Sequence, residues 1–456
     1  MVEIVLQLMH HGCFCDPLPV LMSVFRTIFN FVHLRLFQAI CLAAAAAMSP
    51  WAAAQSVAQP AVQPAADVVL LQAARRAEPE VIETLRQLVL IESGSQHLPG
   101  LLQMADAVES RLKALGFATQ RHKTTTGVGA DTVLGTLQGQ GTQKIMLMAH
   151  LDTVYPVGTL KTQPFKREGQ RLYGPGIADD KGGVATILHG LKILADLGWR
   201  NYRTLTVLFN PDEEVGSRGS KDLIMQQADA HDVVLSFEPT GTHDHFGESL
   251  VLGAAGANTL TMEVKGRASH AGVSPAEGRN AVIELAHQLL QTKDAAKGIP
   301  GAQLQWTQVA ANGPRNQIPA SAVAHADVRS TVPGSDQQLA DAVKAKVAGS
   351  RAVPDTETTI QLGDGRPAFR AIPAASALAE KGQSIYLELG RKLQILPMIG
   401  GATDAAWAGR SGKAVVVESF GLPGYGYHAR DEYIDIDGIV PRLYLMTRIL
   451  QELGKP

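Results

Sequence analysis

Imidazole and carboxylate side chains recur along this chain just past runs of apolar residues. The segment MAHLD sets His150 and Asp152 two residues apart. In extended backbone that spacing turns both side chains to one side, so Asp152 can orient a ring whose other nitrogen ligates a metal. GPGIADDKGG holds Asp179 and Asp180 in a glycine-rich turn, PDEE holds Glu213 and Glu214, SFEPTG holds Glu238, and GYGYHARDEY holds His428. Taken singly, a strand-end Asp or Glu more often caps a helix or makes a turn than binds an ion, and a lone histidine is more often packed or solvated. Taken together, the groups form a donor set suited to zinc, and also to cobalt or manganese. A carboxylate shared by two ions would hold them about 3.5 Å apart, a spacing that serves hydrolysis. The residue types by themselves leave the structural and the metal readings both open.

These groups need a frame. KIMLMAH (144–150), TLTVLFN (204–210) and DVVLSFE (232–238) are apolar runs of strand length. They alternate with helical patterns at 183–198 and in SKDLIMQQA, which argues for a mostly parallel α/β sheet. Ligands of such sheets bind beyond the carboxyl ends of the strands, where the candidate groups fall. Upstream, 79–92 reads as a helix with a proline near its start, and LLQMADAVESRLKALGF as a second helix ending near Gly116. From about 254 to 368 the pattern changes to four strands and two helices, an α+β insert. AVVVESFG (414–421) then resumes the first pattern and IVPRLYLMTRILQEL closes it as a helix. The expected organisation is a first catalytic part at 75–253, the insert at 254–368 and a second catalytic part at 369–456.

The chain has 456 residues, 45% of them hydrophobic, and a formal net charge of -2. That balance implies no broad basic surface, which argues against nucleic acid as a partner. Residues 22–54 carry Arg26 and Arg35, an apolar run from Leu36 to Met48 and the small residues Ala52, Ala53 and Ala54. This is the plan of a signal peptide cleaved after Ala54, and the run is too short for a stable membrane anchor. Met22 is an alternative start, which would leave 1–21 as a prefix. Residues 55–74 read as a tether, Ala/Pro/Gln-rich at its beginning. Cys13, Cys15 and Cys41 all precede the cleavage point, so the mature chain would have neither a disulfide nor thiolate chemistry. The expected location is periplasmic or secreted.

In this order, MAHLDTV, GPGIADDKGG, DEEVGSRGS, SFEPT, GRASHAG, NQIPASA and YGYH resemble the M20 family of metallopeptidases, with the glutamate carboxypeptidases among them most similar. The resemblance runs from about residue 75 to the end. It implies a zinc-peptidase α/β/α sandwich with an inserted, smaller α+β dimerisation domain, and two zinc ions per subunit. It implies His150 and Glu238 on one ion, His428 and Glu214 on the other, Asp179 bridging both, and Asp152 behind His150. Glu213 would be the general base. His270 would reach the active site of a partner subunit, implying a homodimer formed through the insert. The resemblance further implies hydrolysis of the amide bond to a C-terminal amino acid, glutamate first, in N-acyl or peptidyl substrates. A dipeptidase or aminoacylase of the same family is the alternative.

The resemblance also implies substrate contacts from Asn316, Arg329, Arg366 and the backbone at Gly401, and the planar fork of Arg366 suits the terminal carboxylate. Asp404 is expected to fix the glycine-rich loop. One departure stands out: glutamate-specific relatives carry a lysine shortly after the EPT segment, and the matching place here is Ser249. That puts a preference for acidic side chains in doubt.

Overall fold

The structure is a computed structural model that describes residues 65–455 except Val128. The prefix, the signal segment and residues 55–64 of the expected tether lie outside the described residues. In chain order the segment before the insert contains helices α1 (Val68–Val89) and α2 (Leu98–Ala114), then strands β1 (Ala118–Lys123), β2 (Asp131–Gln138) and β3 (Lys144–His150). Helix α3 (Lys181–Asp196), strand β4 (Thr204–Asn210), helix α4 (Lys221–Asp229) and strand β5 (Val233–Ser236) follow, with shorter strands before and after them. The insert contains β6 (Gly256–Lys265), α5 (Ala281–Thr292), β7 (Ala302–Ala310), β8 (Ser321–Ser330), α6 (Ser335–Gly349) and β9 (Glu357–Leu362). Helix α7 (Pro373–Glu388), strand β10 (Val415–Val417) and helix α8 (Ile439–Leu453) follow.

Helix α1 begins earlier than the proline at 79 suggested. Asp67 caps it, its side chain accepting from the Leu70 N–H at 3.0 Å, and Pro79 lies inside the helix. Residues 68–74, expected in the tether, are its first two turns. The cause is the spacing of Leu70, Ala74, Val81, Leu85 and Leu88, which keeps one face on the core across the proline. Each fully buried leucine on that face contributes about 1.5–3 kcal/mol, enough to offset much of the ~3 kcal/mol that a proline costs in a helix.

The main sheet runs in the order β1-β2-β4-β3-β5-β10. β3 pairs parallel with both β4 and β5, and β10 pairs parallel with β5, whereas β1 and β2 join antiparallel at one edge. The continuous apolar runs follow from burial on both faces. Ile145, Leu147 and Ala149 pack with α1, α3 and α8, while Met146 and Met148 pack with Ile224 and Ala228 of α4. Alternate residues of one strand thus serve two helical layers, giving an α/β/α sandwich.

The insert has a sheet and a core of its own. Its four strands are all antiparallel, in the order β7-β8-β6-β9. Leu260, Met262 and Val264 of β6 pack under Leu285 of α5 and Leu339 and Val343 of α6. Two connections join this unit to the sandwich. Ala257 and Arg366 form an isolated antiparallel bridge between them, and the Ala257 N–H donates to the Arg366 carbonyl at 2.9 Å. Among the described residues no helix is long and apolar enough to cross a membrane.

Candidate metal centre

The candidate side chains converge at the C-terminal edge of the main sheet. His150 is the last residue of β3 and is 2% exposed. Its Nδ1 faces the Asp152 carbonyl at 3.0 Å and the Asp152 Oδ1 at 3.4 Å. Its Nε2 lies 2.9 Å from Asp179 Oδ1 and 3.8 Å from Glu238 Oε1. The other oxygen of Asp179 faces His428 Nε2 at 3.3 Å, and Glu214 Oε2 faces the same nitrogen at 3.1 Å. Asp179 therefore stands between two histidines that are far apart in sequence, one carboxylate oxygen toward each. His150, Asp179 and Glu214 offer ligand atoms within 4.8 Å of one another, and so do His150, Glu213 and Glu238.

Carboxylates outside this donor set hold its backbone. Asp152 is fully buried and accepts from the Glu213 N–H at 2.9 Å, the Glu214 N–H at 3.1 Å and the Ser95 hydroxyl at 2.7 Å. Asp180 caps α3 by accepting from the Gly183 N–H, and it also accepts from the His150 N–H at 3.2 Å. The Asp179–Asp180 peptide bond is cis. Glu432, four residues past His428, accepts from the N–H groups of Gly176, Ala178 and Asp179 at 2.8 to 3.0 Å. One segment thus carries a histidine of the site and also the clasp on the turn that carries Asp179. Sequence reasoning overlooked Glu432, although its offset from His428 was visible.

Electrostatics supply the test of whether an ion fits. Burial raises the carboxyls of Glu213, Glu214 and Glu238 above the ordinary carboxylate range. Burial also pushes Glu432 up, to about 7. Asp179 moves the other way: its hydrogen bonds with His150 and His428 outweigh the effect of burial. His428, hydrogen-bonded to Asp179 and Glu214, is pushed up to about 10. His150 is raised despite its burial, by Asp152 and Asp179. Glu214 Oε1 is buried without a hydrogen-bond partner. Crowded carboxylates, an orphaned carboxylate oxygen and two imidazoles with their other nitrogens turned inward match a site for divalent cations.

Arg366 reaches into the cluster from the far side of the insert. It is 7% exposed, and its guanidinium faces Glu213 Oε1 at 2.8 Å and Asp404 Oδ1 at 3.1 Å. It also donates to the carbonyls of Glu213 and Ala402 and to the Ser217 hydroxyl. Its Nη donors neutralise and hold Glu213, while its Nε is buried without a hydrogen-bond partner. Asp404 fixes the neighbouring loops, accepting from Asn210 Nδ2 at 2.7 Å and from the Ser217 hydroxyl. Distance along the chain hid this arrangement, since 153 residues separate Glu213 from Arg366.

The remaining expected groups lie outside the cluster. His270 is exposed on a short strand paired with Gln317–Ile318, and its Nδ1 accepts from the Gly272 and Val273 N–H groups, each at 3.1 Å. In the neutral ring that leaves the proton on Nε2. Asn316 is exposed beside it, its carbonyl accepting from the Ala271 N–H. Arg329 is paired with Asp327 at 3.0 Å, and the Gly401 carbonyl accepts from the Ala255 N–H. Ser249 is buried in a short strand, where its N–H donates to the Thr240 hydroxyl. A cavity of about 550 Å³ between the insert and the sandwich touches none of the cluster. One of about 240 Å³ includes Glu214 and Arg366.

Sequence comparison agrees with this geometry. The profile of peptidase family M20/M25/M40 matches residues 146–452. Carboxypeptidase G2 of Pseudomonas sp. (strain RS-16) is 43% identical over 389 residues, covering 85% of this chain and 92% of the relative. An aminopeptidase of Bacillus cereus superposes with a TM-score of 0.67 at 18% identity, covering 83% of this chain and 99% of the other. An M20 family metallo-carboxypeptidase from Sulfolobus solfataricus gives 0.65 at 17% identity, covering 82% and 99%. At such identities the two structures speak for the fold alone.

Proposed function

The chain belongs to peptidase family M20/M25/M40, and from that membership we propose that it is a metallo-carboxypeptidase that removes a C-terminal amino acid, glutamate foremost, from N-acyl or peptidyl substrates. The observation that carries the reading is Asp179, whose two oxygens face His150 and His428. Members of the family are metal-dependent; for this chain the proposal is two zinc ions, one held by His150 and Glu238, the other by His428 and Glu214, with Asp179 shared. Zinc so held would polarise the scissile carbonyl and acidify water.

The chain's own residues do the rest. Asp152 fixes the ring of His150 and, through two backbone N–H groups, the positions of Glu213 and Glu214. The adjacent glutamates then divide the work. Glu214 is turned to His428, and Glu213 stays beside it against Arg366. Burial raises the Glu213 carboxyl well above its ordinary range, Arg366 only partly offsetting it, and a more basic carboxylate suits a group that must take up a proton and return it. Glu213 accepts the proton of the attacking water and returns it to the leaving nitrogen. His270, with its proton on Nε2, is a donor for the oxyanion in a partner subunit, which makes the homodimer through the insert part of the proposal. Export by way of the 22–54 segment is proposed on the sequence alone.

The test is hydrolysis of an N-acyl-glutamate, a pteroyl-glutamate and unblocked dipeptides by zinc-loaded protein, beside Glu213→Ala. The expected result is preference for the blocked glutamate substrates. Glu213→Ala should bind zinc as the parent does while losing about 10²–10⁴-fold in kcat. Near-parental turnover in the variant would remove Glu213 as the base, and preference for free dipeptides would favour a dipeptidase.

A further inference from the structure

A scissile amide has two sides, and the surface around the candidate metal centre is divided in the same way. Two hollows share Glu214 and Val215. The smaller, of about 240 Å³, lies toward the insert and is bordered by the charged residues Arg218, Asp327, Asp364 and Arg366. The larger, of about 430 Å³, opens toward residues 94–97 and 153–157. Among the described residues that line the larger hollow, Glu214 is the single carboxylate, and no lysine or arginine is present. Its walls carry Val154, Tyr155, Val157 and Val215. The three valines are 40%, 59% and 40% exposed. One exposed valine is ordinary on a protein surface, but three grouped on one concavity beside a carboxylate of the site mark a place for an apolar group.

The walls of this hollow are held by backbone. Gly94 and Thr153 form an isolated parallel bridge. The Thr153 N–H donates to the Ser93 carbonyl at 3.0 Å, and the Ser95 N–H donates to the Thr153 carbonyl at 3.1 Å. A Cβ on Gly94 would lie 2.3 Å from the Tyr155 carbonyl oxygen, so glycine is what lets the two segments close on each other. The Tyr155 hydroxyl donates to the Ala429 carbonyl at 2.8 Å, one residue past His428, and fastens this wall to the segment that carries the second histidine. Further out, the Glu92 carboxylate accepts the Gly158 and Leu160 N–H groups at 2.8 and 3.0 Å. The hollow is therefore pre-formed, of the size that small-ligand sites have, and continuous with the reacting centre through Glu214.

We propose that this hollow is the subsite for the acyl group of the substrate, and that it selects apolar and above all aromatic acyl groups over charged ones. The inference rests on the carboxypeptidase reading above. Continuity with the centre names the occupant: a group joined to the scissile carbonyl must lie in an adjoining hollow, and an apolar one removes valine surface from water there. A charged acyl group would instead bring a second carboxylate beside Glu214 without a countercharge. Steady-state kinetics of zinc-loaded wild type, Val154→Asn and Val157→Asn are compared on N-benzoyl-, N-acetyl- and N-succinyl-L-glutamate, with benzoate as a competing inhibitor. Both valines are exposed, so the variants should fold as the parent does. In wild type, kcat/KM for the benzoyl substrate should exceed that for the acetyl one by at least about tenfold, with the succinyl substrate lowest. Each variant should lower the benzoyl-to-acetyl ratio roughly 3–30-fold, mainly through KM, and weaken benzoate inhibition in parallel, while N-acetyl-glutamate stays within about twofold. A wild-type ratio near one, a preference for the succinyl substrate, a ratio that moves less than about twofold in both variants, or an equal loss on all three substrates would each overturn the inference, while the carboxypeptidase reading survives. Wild type inert on all three substrates would overturn the reading and the inference with it.

Discussion

Replacing Asp152 by asparagine tests how far the site depends on a group that need not touch an ion. The carboxylate accepts the Glu213 N–H on Oδ1, and on Oδ2 the Glu214 N–H and the Ser95 hydroxyl. An amide keeps one acceptor oxygen. If that oxygen stays toward Glu213 and His150, the new NH₂ meets the Glu214 N–H donor to donor, and only Ser95 can turn its hydroxyl to accept. One charge-assisted bond disappears and a buried N–H is stranded, together about 2–3 kcal/mol. That converts to roughly 30–160-fold in an equilibrium constant. The loss should fall on whatever holds Glu214 in place, hence on the ion facing Glu214 and His428. Outer partners of metal ligands ordinarily matter by about 10–100-fold, which agrees. The assay is competition for zinc against a chromophoric chelator, with wild type and Asp152→Asn side by side. One of two zinc affinities should weaken by about that factor. Both affinities within about threefold of wild type would refute the reasoning, whatever happened to turnover.

Two further outcomes follow from titrating groups. Without metal, His428 is held up to about 10, so its ring carries a proton at neutral pH, and His150 is raised in the same direction. Zinc uptake at pH 7 should therefore release at least one proton per subunit and weaken as pH falls; calorimetry in buffers of different ionisation enthalpy measures this, and zinc uptake without proton release would exclude His428 as a ligand. His189, on α3 and facing α1, is 8% exposed, with Nε2 bonded to Thr84 and Nδ1 unpartnered, and burial pushes it down to about 4. Because its folded value lies below the unfolded one of about 6.5, the unfolded chain takes up the proton first. Stability should fall between pH 6.5 and about 4 by up to ~3 kcal/mol from this group and level off below; denaturation midpoints across that range should slope less in His189→Asn, and an unchanged slope would count against it.

What could be read in advance depended on whether the cause was local. β3 and β4 were legible because both faces are buried, so nearly every residue is apolar. β1, ATQRHK, went unread because it is an edge strand whose burial alternates only between exposed and half-buried. Helix α1 was cut short by a proline whose penalty is outweighed by apolar contacts on either side of it. The groups of the site were legible as a set, since each ends a strand or opens a turn. Their division of labour was not: nothing in the spacing of Glu213 and Glu214 says which one faces His428. The pairing of Arg366 with Glu213 and Asp404 was not legible either, because those partners come from distant segments brought beside it only by the fold.

The connections between sandwich and insert bear on how this protein is divided. By its cores it is two modules, since the insert packs around residues that contribute nothing to the main sheet. By its charges it is one. Arg366 lies on the return connection, yet its guanidinium is embedded in the sandwich between Glu213 and Asp404. Cutting the insert out at its visible seams would carry away a countercharge that the sandwich cannot replace from its own sequence. A minimal enzyme built by trimming, or a chimera built by exchanging lids, would have to draw its boundary on the insert side of Gly365. The seam in the chemistry and the seam in the architecture do not coincide.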